Sequence, residues 1–312
     1  MKKAIVLLNM GGPNNLDEVK LFLTNMFNDA RIIAAPKPLR WLIAKIITTK
    51  RAEAAKENYR LLGGKSPIMK YTNALVKKLE AKVDARVSPL MRYTPPFAKE
   101  VLESLQDMDA IYAIPLYPQY SATTTASSFD DLFKNAKSLG ISDKIKTVEH
   151  YPTHPLYIAS ICKRIQEALG KDKAKDFELI FSAHGLPQKM IDRGDPYQKE
   201  IKNTLFMARK ALLEAELNFA ATHLAYQSRL GPMKWIEPYM DEKLKTMRGK
   251  KVIVFPIAFT IDNSETEYEL NIEYRALAKK IGITEYRVAK APNDDDNFVD
   301  CLVDLYRKME VK

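Results

Sequence analysis

Residues 178–197 read ELIFSAHGLPQKMIDRGDPY. The apolar run at its start is too short for a buried helix and reads as a strand. It ends by presenting His184, turns at Gly185, and gives way to a helical pattern over 197–217. The same grammar recurs along the chain. Strands are expected at 4–8, 85–91, 110–116, 146–150, 178–183, 222–226, 251–256 and 285–289, and helices at 75–82, 156–168, 197–217, 268–280 and 298–309. Such alternation predicts an α/β fold whose parallel sheets are covered by helices on both faces. Eight strands suit two open sheets of about four better than one barrel. The break is expected within the Ser-, Thr- and Pro-rich region 115–175. Two flavodoxin-like (Rossmann-like) domains follow, 1–150 and 151–312, with a last helix of about 295–312 free to pack back on the first. Ligands of such sheets lie beyond the carboxyl ends of the strands. Function is therefore expected just after residues 8, 91, 116, 183, 226 and 256, in a crevice between the halves.

Composition narrows the classes. Hydrophobic residues make up 46% of 312, enough for a substantial core. Cys162 and Cys301 form no CxxC pair, so neither a disulfide framework nor a cysteine-held zinc or iron–sulfur site is expected. The N-terminal MKKAIVLLNMGGP has too short an apolar run for a signal peptide and reads as a first strand. No stretch approaches the ~20 apolar residues of a membrane span, and a cytoplasmic location is expected. The net charge of +10 reads as a solvated basic surface. Its lysines are spread along the chain without a nucleic-acid-binding motif beside them, so no nucleic-acid partner is expected. Residues 36–47, PKPLRWLIAKII, mix basic and apolar side chains at helical spacing. They suit either a surface helix packed on the core or a peripheral contact with the inner membrane.

Several strand ends carry chemistry-bearing groups. Asn9-Met10-Gly11-Gly12-Pro13 permits close backbone approach but lacks a phosphate-loop pattern, so a tight turn explains it as well. Arg92-Tyr93 pairs a carboxylate-binding guanidinium with an aromatic ring. Residues 115–128, PLYPQYSATTTASS, weave Tyr117 and a second tyrosine with prolines and hydroxyls from Ser121 onward, as a wall for a planar ligand with polar edges would. Ser127 and Ser128 also suit a helix cap. Tyr226-Gln227-Ser228-Arg229 leads to Trp235, which reads as an exposed stacking wall of a pocket in preference to buried core.

Two features stand out. His184 alone among four histidines sits at a strand end beside a glycine turn, and imidazole can take a proton or bind a metal near neutral pH. In PIAFTIDNSETEYELNIEY, residues 256–274, Glu265, Glu269 and Glu273 recur at spacing four on one helical face. Like charges at that spacing cost about 0.2–0.5 kcal/mol per pair. A metal or Lys/Arg partners are expected to offset them, and hard oxygen ligands suit a hydrated divalent cation.

Together these segments resemble the ferrochelatase family over nearly the whole chain. The resemblance rests on LLNMGGP (7–13), NYRLLGGKSP (58–67), MRY (91–93), PLYPQYS (115–121), FSAHGLP with GDPY, YQSRLGPMKW (226–235), and PIAF with SET (264–266). It implies an enzyme that inserts Fe²⁺ into protoporphyrin IX to give protohaem, in a cleft between two flavodoxin-like domains. His184 and Glu265 would be its catalytic groups. Metal contacts would come from His184, Glu265, Glu269 and Glu273. Substrate contacts would come from Met10, Arg92, Tyr93, Tyr117, Ser121, Tyr197, Trp235, Phe259 and Asn263.

Two positions depart from the common pattern. Asn263 stands where many relatives carry a histidine, which shifts the imidazole role onto His184 alone. Asn271 replaces a frequent aspartate. The chain stops without the cysteine-rich extension of animal relatives, so neither an iron–sulfur cluster nor a prosthetic group is implied; iron is a substrate, and a monomer is expected. Coproporphyrin or cobalt chelation on the same fold stays open, as does a non-catalytic tetrapyrrole carrier. The Met10 loop resembles relatives that act on protoporphyrin.

Overall fold

The computed structural model describes residues 1–311. The expected last helix extends to 312, and Lys312 lies outside the described residues. The chain forms two compact units, one of Met1–His150 with the residues from Leu302 onward, the other of Tyr151–Cys301.

The first unit holds β1 (Lys3–Asn9), β2 (Arg86–Met91), β3 (Ala110–Pro115) and β4 (Ile145–Thr147). They pair in parallel in the order β2-β1-β3-β4. The second holds β5 (Phe177–His184), β6 (Ala221–Gln227), β7 (Lys251–Pro256) and β8 (Glu285–Val288), in parallel in the order β6-β5-β7-β8. All eight expected strands are present. The central ones are continuous apolar runs because helices cover both faces: six residues of β1 and seven of β5 are buried.

In the first unit one sheet face carries Ala4, Val6, Leu8, Ile111 and Ala113, packed against Val101, Leu102, Leu132 and Ala136 of flanking helices. In the second, Ile180, Val252 and Val254 meet Met240, Leu244, Leu270 and Ala278. Each sheet reverses its strand order beside its first strand, and the groove above such a reversal is where open α/β sheets take ligands. In the second unit the segments leaving β5 and β7 flank that point, and they carry His184 and Glu265.

The structure revises two helices. Residues 37–61 form one helix, Lys37–Leu61, of which the sequence pattern marks only the start. Its buried side is a thin stripe of Ala44, Thr48, Ala52 and Tyr59, too small and polar to announce itself. The expected α-helix over 268–280 divides into a π-helix, Glu265–Glu273, and an α-helix, Tyr274–Ile281. The Tyr274 N–H donates to the Glu269 carbonyl, five residues back. Such widened turns are rare and concentrate at functional sites. A second π-helix, Ala122–Ala126, follows β3 in the first unit.

Candidate active site

The last residue of β5 places His184 at the sheet's carboxyl edge. Its backbone carbonyl accepts from the Tyr197 hydroxyl at 2.8 Å, so Tyr197 braces the strand end. The imidazole Nδ1 lies 2.7 Å from the Gly185 carbonyl. A carbonyl only accepts, so Nδ1 carries a proton, and in the neutral ring Nε2 keeps its lone pair. The half-buried Phe259 stands edge-on to this ring, with centroids 6.4 Å apart.

Gly185 explains the turn beside it. A Cβ there would lie 2.9 Å from the Gln227 carbonyl oxygen and 3.2 Å from the Trp235 ring. Trp235 is only 9% exposed, and its Nε1 donates to the Leu230 carbonyl at 2.9 Å. It therefore backs the His184 turn as core, which corrects its reading as an exposed stacking wall.

Glu265 opens the π-helix and is half-buried. Burial pushes its carboxyl above the usual range; the His184 charge, the Ser264 hydroxyl and its own N–H pull the other way, and Glu269 adds to the rise. Asn263, 4% exposed, is the cap of this helix. Its Oδ1 accepts from the N–H groups of Glu265 (3.0 Å) and Thr266 (3.1 Å), while its own N–H donates to the Thr266 hydroxyl at 3.0 Å. This reciprocal box satisfies helix-end donors that otherwise lack partners. Asn263 thus works here on the backbone that carries Glu265. The segment before it is pinned as well: Asp262 accepts from Asn293 Nδ2 at 2.6 Å and from the Ala291 N–H at 3.1 Å.

Farther along the acidic stripe, Glu269 is met by neutral donors: the Ser228 N–H and hydroxyl, Gln227 Nε2 and the Tyr274 hydroxyl. Glu273 is exposed. Among the described residues no three His, Cys, Asp or Glu side chains are grouped so as to hold a metal ion. His184, Glu265, Glu269 and Glu273 therefore form no preassembled cage.

In the first unit Arg92 and Tyr93 converge on a residue the sequence reading missed. Asp29 Oδ2 accepts from Arg92 Nη2 (3.1 Å), from the Tyr93 hydroxyl (2.9 Å) and from the Ser127 hydroxyl. Arg92 Nε also donates to Ser127 Oγ at 2.9 Å. Arg92 is thus already paired with a carboxylate, and Tyr93, 3% exposed, is packed edge-on to Phe22 rather than open for stacking. Ser127 serves this cluster and is not a helix cap. Tyr117 and Ser121 are buried too. Burial pushes the Tyr117 hydroxyl up, and Ser121 accepts from the Thr123 N–H at 3.2 Å, capping the shorter π-helix. Met10 is half-buried among apolar neighbours that include Tyr93. The turn at Gly11-Gly12 serves packing: a Cβ on Gly11 would strike the Thr94 hydroxyl at 2.3 Å, and one on Gly12 the Ser66 side chain at 2.5 Å.

Sequence signals for Asp29, Gln227 and Tyr274 were absent because each acts through a partner distant in the chain or through a widened turn. Gln227, the last residue of β6, and Ser228 after it lay inside a recognised motif without an assigned role.

Known proteins resemble this chain along nearly its whole length. A family model described as ferrochelatase matches residues 2–310. The chain is 50% identical over 311 residues to a ferrochelatase of a Nitratiruptor species, covering 98% of this chain and 100% of that one. It is 50% identical over 314 residues to a ferrochelatase of Sulfurimonas denitrificans, covering 99% of each. Among solved structures, SirB from Bacillus subtilis with Fe³⁺ shares the fold, with a TM-score of 0.58 at 10% identity, over 99% of this chain and 96% of that one. The chain belongs to the ferrochelatase family.

Proposed function

We propose that this enzyme inserts Fe²⁺ into protoporphyrin IX, with His184 and Glu265 as the groups that handle protons and metal. Family membership supports the coarser statement, metal insertion into a porphyrin. What supports the finer one is the ring of His184: with Nδ1 bonded to the Gly185 carbonyl, Nε2 of the neutral ring is an acceptor within electrostatic reach of the Glu265 carboxyl.

A free-base porphyrin must lose two N–H protons as four nitrogens close on the metal. His184 Nε2 accepts a pyrrole proton. Glu265, half-buried and at the head of the widened helix, takes the second proton or guides the ion as it sheds water. Bending the flat ring is ground-state strain of ~1–5 kcal/mol drawn from binding elsewhere on the macrocycle. Met10, Phe259 and Arg92 are the half-buried groups suited to that binding. Arg92 keeps a further donor, Nη1, held only at 3.7 Å by Asp131, which suits a propionate.

Anaerobic assay of iron insertion by wild type, His184→Ala and Glu265→Gln tests this. Loss of about 10²-fold or more in kcat is expected for each, and near-normal turnover in both variants refutes the assignment. Running two- and four-carboxylate porphyrins, and cobalt beside iron, decides the substrate; tight porphyrin binding without metal insertion would identify a carrier instead.

A further inference from the structure

Glu269 is held by an unusually complete set of donors. Its Oε1 accepts from the Ser228 N–H at 2.7 Å and the Tyr274 hydroxyl at 3.3 Å. Its Oε2 accepts from Gln227 Nε2 at 2.9 Å and from the Ser228 hydroxyl. A carboxylate offers about four lone-pair sites, and here four protein donors meet them. Ser228 holds a left-handed backbone, φ 66°, which a non-glycine residue keeps only where its surroundings enforce it.

The bonds continue in both directions. Gln227 Oε1 accepts from the Ser182 hydroxyl at 2.7 Å, which ties it to β5 two residues before His184. Gln227 Nε2 also donates to the Glu265 carbonyl at 3.2 Å. One path thus runs from β5 through the end of β6 into the π-helix, and it ends on the backbone of Glu265. A π-helix is poor at holding itself, since each widened turn gives up the closer bonding of an α-helix. An external clasp midway along it fixes where its first residue points.

We propose that Glu269 is a positioning residue: with Gln227 and Ser228 it clasps the π-helix to the end of β6 and so aims Glu265 at the metal-insertion site. This rests on the function proposed above for Glu265. It differs from a relay or ligand role for Glu269, which needs lone pairs that the clasp already uses.

The test uses the full-length enzyme and the variants Glu269→Ala, Glu269→Gln, Ser228→Ala and Tyr274→Phe. Two readouts are compared: kcat and KM for iron, and amide hydrogen exchange over 265–273 without substrate. In Glu269→Ala, kcat should fall about tenfold or more with KM for iron within about twofold, and exchange over 265–273 should accelerate by about tenfold or more. Glu269→Gln keeps one oxygen for the Ser228 N–H and the Tyr274 hydroxyl but turns an N–H₂ toward Gln227 Nε2, so it should recover part of the protection and part of the lost kcat. Ser228→Ala and Tyr274→Phe each remove one donor and should give intermediate exchange; they decide the matter if Glu269→Ala does not fold.

The proposal is overturned if exchange in these variants matches wild type. It is equally overturned if Glu269→Gln is as impaired as Glu269→Ala with KM for iron raised about tenfold, since charge would then be what matters. Because exchange is read without iron or porphyrin, an inactive wild type with a clasp-dependent π-helix would sink the iron-insertion reading and leave the clasp standing.

Discussion

Replacing Asn263 by alanine removes one oxygen that serves two N–H groups, those of Glu265 at 3.0 Å and Thr266 at 3.1 Å. Loss of an Asn cap costs about 0.5–2 kcal/mol. The site is 4% exposed, so water does not readily take the oxygen's place, and the cost should sit near the top of that range, about 2 kcal/mol. Each kcal/mol lowers Tm by ~2–4 °C in a domain of this size. The unit Tyr151–Cys301 should therefore melt about 4–8 °C lower. Calorimetry of Asn263→Ala measures the loss, and amide exchange at 265 and 266 localises it. Asn263→Ser restores a neutral acceptor at the cap and should recover at least half of the stability. Melting of the alanine variant within about 1 °C of wild type, with unchanged exchange at both amides, would refute the capping argument. Iron insertion should fall with the cap, because the same backbone carries Glu265.

Further outcomes follow from the same contacts. Gly185→Ala puts a methyl 2.9 Å from the Gln227 carbonyl and 3.2 Å from Trp235, so denaturant titration should show a loss of ~1–3 kcal/mol; an unaffected midpoint would mean the turn has slack. Burial raises the carboxyl of Glu178, but bonds from Lys250 (2.6 Å) and His223 (2.7 Å) outweigh it and hold it below the usual range. Its contribution is then complete above the ordinary glutamate pKa of ~4.3 and is lost as pH falls through the lower folded value. Glu178→Gln should flatten the acid side of the stability profile below about pH 4.3, and an unchanged profile would discount the triad. We further propose that the helix Lys37–Leu61 touches lipid. Leu39, Trp41, Leu42 and Ile46 are 51%, 53%, 48% and 47% exposed, and Lys37, Lys45 and Lys50 lie beside them on the same helix. Co-sedimentation with anionic vesicles should drop at least about fivefold in Trp41→Ala/Leu42→Ala; equal binding by the double variant would remove this face from consideration. No helix among the described residues is long and apolar enough to cross a membrane.

What the sequence alone determined is the layered fold, and it nominated His184 and Glu265 for the chemistry. The apolar runs that became β1, β3, β5 and β7, each bounded by turn residues, suit central parallel strands because their side chains are apolar on both faces. Placement after a strand end singled out His184, and charge spacing marked the stripe of Glu265, Glu269 and Glu273, of which the family resemblance picked out Glu265; strand end and spacing are local properties of consecutive residues. The tertiary structure decided everything that depends on a partner far along the chain. Asp29 meets Arg92 across 63 positions and Ser127 across 98, and Glu269 meets Ser228 across 41. No periodicity carries such pairings. They turned Tyr93 and Trp235 from expected ligand surfaces into buried supports, and Glu269 from an open carboxylate into a bonded one. The π-helix belongs with them. Its residues carry an ordinary helical pattern, and beside the local cap of Asn263 at its start the widening coincides with long-range contacts, Gln227 and Ser228 holding its middle.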